Sequence, residues 1–349
     1  MKRSRPGSPK LTRVMRMEAD NQLLSTLREE IAAADRILLV SHIRPDGDAI
    51  GSLVGLGTSL MAAGKQVQMV LCDGVPANFR FLAGSERIKK RAEGDFDYRI
   101  VVDASELARI GTALDGQPKP DLNIDHHVTN EMFGRHNLVL PDAAATAEIL
   151  ARTLPALGLT CPPETAQALL LGMVTDTIGF RTRNVTPQVL RVAAGLMEFG
   201  ADLAHVYYAG LVSRSYAAAR FWGYGLSRIR QEDGMVWTSL TLADRASSAY
   251  SGRDDADLVN MLSAVEGADV ALIFVEQSAG HVKISWRVCG QAEIAADVSV
   301  VAQQFGGGGH QAAAGAEVNG TLEYVQSKVL SATQRYLDRV RNERIPSAG

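Results

Sequence analysis

A solid apolar run at 37–40 predicts a strand that is buried on both faces, as in a parallel sheet. Further strands are predicted at 67–71, 99–102 and 122–124. Helical periodicity and capping signals predict helices at 20–34, 48–63, 144–158, 163–178 and 187–199. This alternation is typical of a doubly wound α/β domain, which we place at residues 20–195.

The pattern changes beyond residue 195. Residues 196–230 predict a helical linker without strong breakers. Further on, strands are expected at 236–240, 270–275 and 282–288, and helices at 255–266, 291–305 and 321–342. They indicate a second, smaller α/β domain at 231–345. Residues 1–19 are basic without an apolar run, which predicts a disordered tail, with a phosphate-binding arm as the alternative.

Composition narrows the classes of function. The chain has 349 residues and a net charge of −3, with a pI of about 6.2. Proteins that grip long nucleic acids usually carry a basic excess, so long duplex DNA is not expected as a partner. The cysteines are far apart and form no CxxC pair, which favours a reducing cytoplasm. No run approaches the ~20 apolar residues of a membrane span, so a membrane partner is not expected.

Acids and histidines follow the predicted strands of the first domain. They are His42, Asp46 and Asp48 after the first strand, Asp103 at the end of the third, and Asp125, His126 and His127 at the end of the fourth. Because ligands of open α/β sheets bind at the carboxyl ends of the strands, these side chains are delivered to one edge. A single Asp there is more often a helix cap or a turn former, so the prediction rests on the combination.

Carboxylates that converge without a lysine or arginine among them repel each other strongly, and cations resolve this conflict. The donor set lacks thiolates, which favours Mn²⁺ or Mg²⁺ and leaves Fe²⁺, Co²⁺ and Zn²⁺ open. Asp46 and Asp48 lie two apart in a glycine-containing loop and can point to different cations, which Asp103 can bridge. Paired cations in phosphatases and nucleases clamp the attacking and leaving oxygens. The sequence therefore predicts a two-metal phosphoesterase centre.

Asp176 ends the apolar run 168–174, and the residues alone leave two interpretations open: a solvent-facing helix end or a further ligand. The second domain carries Gly306–Gly309 followed by His310. Glycines let backbone amides approach an anion closely, and the alternative is a flexible loop. Arg287, on a predicted strand, can present a fork to phosphate, although such a residue alone is more often on the surface.

These motifs together resemble those of the DHH phosphoesterases and their associated DHHA1 domain. The matching segments, which span about residues 35–320, are HIRPDGD (42–48), VVDAS (101–105), DHH (125–127), TDT (175–177), SWR (285–287) and GGGGHQAAAG (306–315). Size and layout are most similar to the small members related to bifunctional nanoRNase and phosphoadenosine-phosphate phosphatase. The resemblance implies a metal domain, a helical linker and a smaller substrate domain, with the active site in the cleft between the domains.

The resemblance also implies roles for individual residues. One metal would be held by His42, Asp46 and Asp103, and the other by Asp48, Asp103, His126 and Asp176. His127 would orient water or contact the scissile phosphate, and Asp125 would orient the histidines. Substrate phosphate would be bound by Arg287, Gly308, Gly309 and His310, with Arg109 and Asn130 as further substrate-binding residues.

We therefore expect hydrolysis of short 5′-phosphorylated oligonucleotides, linear dinucleotides such as pApA, or adenosine 3′,5′-bisphosphate. The expected nucleophile is a hydroxide that bridges two divalent cations, most simply Mn²⁺. The alternatives are an inorganic pyrophosphatase or exopolyphosphatase, a cyclic-dinucleotide phosphodiesterase, a processive single-strand exonuclease and a non-catalytic nucleotide sensor. The glycine loop argues against the first, and the complete ligand set argues against the sensor. A homodimer is left open.

Overall fold

The computed structural model describes residues 21–290, 292 and 296–343, and of Asn21 and His310 it describes the backbone alone. The predicted tail at 1–19 and Asp20, the predicted cap of the first helix, lie outside the described residues. The chain divides into two compact units between Ser213 and Arg214. The bounds predicted for the two domains and the linker stay predictions.

The first unit is built on a parallel sheet of five strands, ordered β2-β1-β3-β4-β5. The strands are β1 (Arg36–Val40), β2 (Gln66–Val70), β3 (Tyr98–Val102), β4 (Leu122–Asp125) and β5 (His136–Val139). The central strands β1 and β3 are buried almost throughout, as their runs of apolar residues at 37–40 and 100–102 require. The predicted parallel α/β sheet is confirmed.

Helices cover this sheet and join its strands. They are α1 (Asn21–Ala33), α2 (Gly47–Ala62), α3 (Thr146–Thr153), α4 (Pro163–Asp176), α5 (Pro187–Glu198) and α6 (Leu203–Tyr207), the last continuing as a π-helix over Tyr208–Val212. Short 3₁₀ turns occur at Ala77–Phe79, Ser85–Arg87 and Leu107–Ile110. The helices and the sheet share one large apolar core.

Helices α2 and α4 approach each other unusually closely, because glycines line the contact. A Cβ on Gly51 would lie 2.5 Å from the carbonyl oxygen of Ala168, and one on Gly47 would lie 2.3 Å from the Thr175 hydroxyl oxygen. Residues 47, 51 and 55 recur at helical spacing, so they form one face of α2. This close approach brings the start of α2 to the end of α4.

Strand β5 was not predicted from the sequence. It is an edge strand with one buried residue, Leu138, and therefore lacks the solid apolar run that marks the inner strands. The helix predicted at 48–63 is observed over Gly47–Ala62, so Asp48 lies in a helix and not in a loop with Asp46. Asp46 is the N-cap of α2, accepting hydrogen bonds from the Asp48 and Ala49 amides, and Asp48 lies in the first turn of the helix.

The second unit holds a mixed sheet of six strands, ordered β10-β11-β9-β8-β7-β6, in which β7 and β8 are parallel and the other pairs antiparallel. The strands are β6 (Arg230–Glu232), β7 (Met235–Leu240), β8 (Val270–Ser278), β9 (His281–Val288), β10 (Gly308–His310) and β11 (Ala313–Asn319). The helices are α7 (Tyr216–Leu226), α8 (Leu242–Ser248), α9 (Leu258–Leu262), α10 (Val298–Gln303) and α11 (Leu322–Glu343). The predicted second, smaller α/β domain is confirmed as a fold.

Several elements of this unit differ from their predictions. The helix expected at 255–266 is observed only over Leu258–Leu262, because Ala256 and Asp257 adopt left-handed φ angles of 53° and 65°. Helix α8 and strands β10 and β11 were not predicted. Among the described residues, each helix is too short or too polar to cross a membrane.

Candidate metal centre and phosphate-binding strands

The six predicted metal ligands lie beside the carboxyl ends of strands and at the facing ends of two helices. His42 follows β1, Asp103 follows β3 and His126 follows β4, while Asp46 and Asp48 open α2 and Asp176 is the last residue of α4. Parallel strands end at the same edge of a sheet, and the α2–α4 contact adds Asp48 and Asp176 to that edge.

The ligand atoms form three overlapping groups, each within 4.8 Å. The groups are His42, Asp46 and Asp103; Asp48, His126 and Asp176; and Asp103, His126 and His127. Asp103 lies between the first two, because its Oδ2 is 3.5 Å from His42 Nε2 and its Oδ1 is 3.8 Å from His126 Nε2. Asp176, which the sequence alone left open, has its Oδ2 3.6 Å from His126 Nε2.

The backbone of Asp103 is itself unusual. Its φ angle of 58° is left-handed, and its side chain is buried. Such a conformation is uncommon for a residue other than glycine and recurs at functional sites, where the surrounding structure enforces it. The turn directs the Asp103 carboxylate out of the end of β3 into the group of histidines.

Hydrogen bonds fix which ring nitrogen of two histidines faces the centre. Nδ1 of His42 lies 2.8 Å from the Ile43 carbonyl oxygen, and Nδ1 of His126 lies 3.4 Å from that of Ala143. A carbonyl oxygen only accepts, so each Nδ1 carries the proton and donates it. The Nε2 lone pair of each neutral ring then faces the carboxylates and is suited to a metal ion.

His127 and Asp125 form a second polar layer. Nδ1 of His127 lies 2.6 Å from Asp125 Oδ1, and the same oxygen accepts from the His126 amide at 2.9 Å. The other oxygen, Oδ2, accepts from Asn130 Nδ2 at 2.6 Å. Asp125 is fully buried. Asp125 therefore contacts the ring of His127 and the backbone of His126, and its role in orienting the histidines stays a prediction.

Asn130 was predicted as a substrate-binding residue. In the structure its side-chain nitrogen donates to Asp125, Asn123 and the Ala104 carbonyl, and its oxygen accepts from the Met132 amide at 2.7 Å. These contacts brace the Asp125 layer. Substrate contact by Asn130 stays a prediction.

Arg109 lies in the 3₁₀ turn Leu107–Ile110 and is half-buried. Its carbonyl oxygen accepts from the Ile43 amide at 2.7 Å, so the turn supports the segment that carries His42. A role for its guanidinium in substrate binding also stays a prediction.

The carboxylates of the centre keep protons on its histidines. Burial opposes a proton on His42, but the carboxylates of Asp103 and Asp46, at 3.5 Å and 3.8 Å from its Nε2, outweigh burial and raise the pKa to about 10. Burial likewise opposes a proton on His126, while the charges of Asp176 and Asp103 raise its pKa to about 9. Without a metal, protonated imidazoles therefore supply the positive charge that the carboxylates require.

The donor set fits divalent cations. Among the described residues, the carboxylates of the ligand groups form ion pairs with histidines and with neither lysine nor arginine. The ligands are carboxylate oxygens and imidazole nitrogens, the set preferred by Mn²⁺ and related ions. These groups can hold metal, and the chemistry of the residues agrees with that use.

Two polar residues of the site were not predicted from the sequence. The Thr146 hydroxyl donates to Asp103 Oδ1 at 3.0 Å, and the Ser52 hydroxyl donates to Asp48 Oδ1 at 3.1 Å. Both lie within helices among apolar neighbours, where small hydroxyls give no signal of chemistry. Thr146 is a polar residue at the first position of a buried helix, and this position is the one indication in the sequence that it contacts the site.

In the second unit, the strand register brings Arg287 towards the glycine-rich strand. Arg287 of β9 pairs with Ala313 of β11, which in turn pairs with His310 of β10. Residues opposite each other in paired strands share one face of the sheet. On this face, Arg287 therefore lies next to the small residue Ala313, and His310 is the next residue beyond Ala313. The structure describes only the backbone of His310.

The two glycines predicted to bind phosphate differ in their surroundings. A Cβ on Gly309 would lie 2.4 Å from the Ala313 carbonyl oxygen, so glycine is required there for the β10–β11 hairpin. A Cβ on Gly308 would meet nothing within 4 Å. Of the predicted glycine loop, Gly308 and Gly309 lie in strand β10, and Gly308 leaves open space above the strand.

The guanidinium of Arg287 is held from one side. Nε donates to Asn260 Oδ1 at 3.3 Å, and Nη1 donates to the Trp286 carbonyl at 2.9 Å. Nη2 makes no hydrogen bond to the residues that the structure describes. Burial lowers the pKa of Arg287, while the charges of Asp255 and Asp257 oppose that shift.

The fold and the cluster of carboxylates and imidazoles define a class of protein. Residues 36–173 match the N-terminal domain of the DHH family, and residues 245–340 match the DHHA1 domain. The chain belongs to the DHH family and is a phosphoesterase, a hydrolase of the metal-dependent kind.

Two relatives are both described as bifunctional oligoribonuclease and PAP phosphatase NrnA. The chain is 35% identical to the protein of Thermus thermophilus over 309 residues, which cover 87% of this chain and 90% of the relative. It is 29% identical to that of Mycoplasma genitalium, with coverage of 81% and 88%. An exopolyphosphatase-related protein of Bacteroides fragilis has the same fold, with a TM-score of 0.81, 24% identity and coverage of 92% and 96%.

Proposed function

We propose that this protein hydrolyses short 5′-phosphorylated oligonucleotides and adenosine 3′,5′-bisphosphate with the help of two divalent cations, preferably Mn²⁺. The observation that carries the proposal is the pair of ligand groups that Asp103 links. Relatives described as oligoribonuclease and PAP phosphatase, similar over most of their length, support this choice of substrates.

In this proposal His42, Asp46 and Asp103 hold one cation, and Asp48, Asp103, His126 and Asp176 hold the other. When bound, the cations activate water for attack and neutralise charge that develops on the phosphoryl oxygens. The neutral Nε2 atoms of His42 and His126 act as ligands because their Nδ1 protons are donated to backbone carbonyls. His127, oriented by Asp125, faces Asp103 Oδ1 at 3.9 Å and contacts the reacting phosphate or water.

Arg287 and Gly308 bind a phosphate of the substrate in this proposal. The Nη2 of Arg287 offers N–H donors, and Gly308 lets a phosphate approach the strand closely. A single end-anchor of this kind favours a short chain over a long one. The free thiols of Cys72, Cys161 and Cys289 suit a reducing cytoplasm as the setting.

The test is a side-by-side kinetic comparison of a diribonucleotide, adenosine 3′,5′-bisphosphate, pyrophosphate and cyclic di-AMP, each with Mn²⁺. We expect turnover of the first two and its loss in chelator. Asp103→Ala should abolish turnover, whereas Asp115→Ala, which removes an exposed carboxylate, should leave it unchanged. Preference for pyrophosphate, full activity of Asp103→Ala, or nucleotide binding without turnover would each refute the proposal.

A further inference from the structure

Thr146, the first residue of α3, lies between the two ligand groups and is fully buried. Its amide donates to Asp48 Oδ2 at 2.6 Å, and its hydroxyl donates to Asp103 Oδ1 at 3.0 Å. One residue thus contacts a carboxylate of each group, through its backbone to one and through its side chain to the other.

The hydrogen bonds to Asp48 are distributed unevenly between its two oxygens. Oδ1 accepts from the Ser52 hydroxyl at 3.1 Å and from the Ala147 amide at 3.0 Å. Among the described residues, Oδ2 accepts only from Thr146. A carboxylate oxygen has two lone-pair directions, so Oδ2 keeps one for a cation while the carboxylate cannot rotate.

The backbone of Asp103 constrains its carboxylate less than helix α2 constrains the carboxylate of Asp48. Asp103 follows β3 in a left-handed conformation, so the pleat of the strand does not set the direction of its side chain. Its Oδ2 faces His42, and among the described residues Oδ1 accepts a hydrogen bond from the Thr146 hydroxyl. Loss of this hydroxyl would free the carboxylate to turn away from one of the two groups.

We infer that Thr146 is a positioning residue that fixes Asp48 and Asp103 together and thereby sets the geometry of both cations. The inference rests on the two-cation site of the proposed function. A neutral amide and a neutral hydroxyl suit this task, because a lysine or arginine in the same place would neutralise the carboxylates and compete with metal. The amino end of α3 adds partial positive charge without that competition.

The experiment compares Thr146→Val with Thr146→Ser and with a matched control on the same helix. Thr153 is also fully buried, but its hydroxyl donates within α3 to the Ile149 carbonyl at 2.7 Å. Thr153→Val therefore removes a buried hydroxyl without touching a ligand. Mn²⁺ affinity and stoichiometry are measured by calorimetry on the full chain, and magnetic coupling between two Mn²⁺ ions by electron paramagnetic resonance.

Thr146→Val should lose about 10- to 100-fold in Mn²⁺ affinity, the usual effect of removing such a support, together with the spin-coupled signal. Thr146→Ser should retain most of the affinity, and Thr153→Val should match the wild type. In turnover assays, Thr146→Val should lower kcat at limiting Mn²⁺ and leave the KM for nucleotide unchanged.

Equal Mn²⁺ affinity and coupling in Thr146→Val and Thr153→Val would overturn the inference. Should Thr146→Val fail to fold, Thr146→Ala, which puts no methyl group against the carboxylate, is judged by the same criterion. A wild-type protein that binds no divalent cation would instead refute the proposed function, so the two failures are distinguishable.

Discussion

A methyl group added at Gly172 should impair metal binding although residue 172 is not itself a ligand. Gly172 lies in α4, where a Cβ would sit 2.5 Å from Asp48 Oδ1 and 2.6 Å from the Cβ of Ala147. Ordinary van der Waals contact begins at 3.4 Å, so the Asp48 oxygen must move by about 0.9 Å. Metal–ligand distances tolerate only about 0.2 Å, so Gly172→Ala should weaken binding at the Asp48 group by more than tenfold.

The same substitution should also change the stability of the fold, by a net amount that we expect to be small. Overpacking a close-packed interior lowers the free energy of unfolding by about 1–3 kcal/mol. Replacing a helical glycine by alanine raises it by about 1 kcal/mol. A matched control is Gly223→Ala in α7, where an added Cβ meets nothing within 4 Å. This control should stabilise its own unit by about 0.5–1 kcal/mol without changing metal binding.

Calorimetric titration with Mn²⁺ and thermal unfolding with and without Mn²⁺ measure both effects. The rise in melting temperature on adding metal should be largely lost in Gly172→Ala and kept in Gly223→Ala, because ligand-dependent stabilisation follows affinity. Wild-type Mn²⁺ affinity in Gly172→Ala would show that Asp48 is not a ligand or that α4 shifts without disturbing it, and the reasoning would fail.

Three further outcomes are expected. His42 and His126 are protonated at neutral pH, because their pKa values are raised to about 10 and 9. A metal ion must displace these protons. The Mn²⁺ affinity measured by calorimetry should therefore rise between pH 7 and 9, by up to about tenfold per pH unit for each proton released. Affinity independent of pH would contradict this. Arg287→Lys should raise the KM for a 5′-phosphorylated dinucleotide by about tenfold and change kcat less, because lysine lacks the planar fork; an unchanged KM in steady-state kinetics would argue against phosphate binding there. Asn130→Ala should remove the hydrogen bond to Asp125 Oδ2 and destabilise the protein by about 1–3 kcal/mol in denaturant titration. Wild-type stability of this variant would show that Asn130 does not support Asp125.

Much of the metal centre could be predicted from the sequence for a physical reason. A strand buried on both faces must be apolar along its length, so the first polar residue after it marks the carboxyl end. His42, Asp103 and His126 stand at such ends, and parallel strands share one edge. Periodicity alone therefore indicated that these side chains meet.

Elements with weak periodicity were missed. Strand β5 buries one side chain, so its sequence is typical of a loop. Strand β10 consists largely of glycine, which is typical of flexible segments. What makes β10 a strand is its pairing with β11, through contacts that exclude a side chain at Gly309. Such pairing is a property of two segments and is absent from the local pattern of either one.

The sequence by itself determined the class of fold and the residues that follow the inner strands, because burial along a strand is reflected in its local hydrophobic pattern. Its motifs indicated the chemistry of the site. Only the tertiary structure decided what holds those residues in place. Thr146 is 98 positions from Asp48 and 43 from Asp103 in the chain, and no periodic signal links them. A buried carboxylate must find donors wherever packing brings them, so the support of the centre follows from how the helices meet.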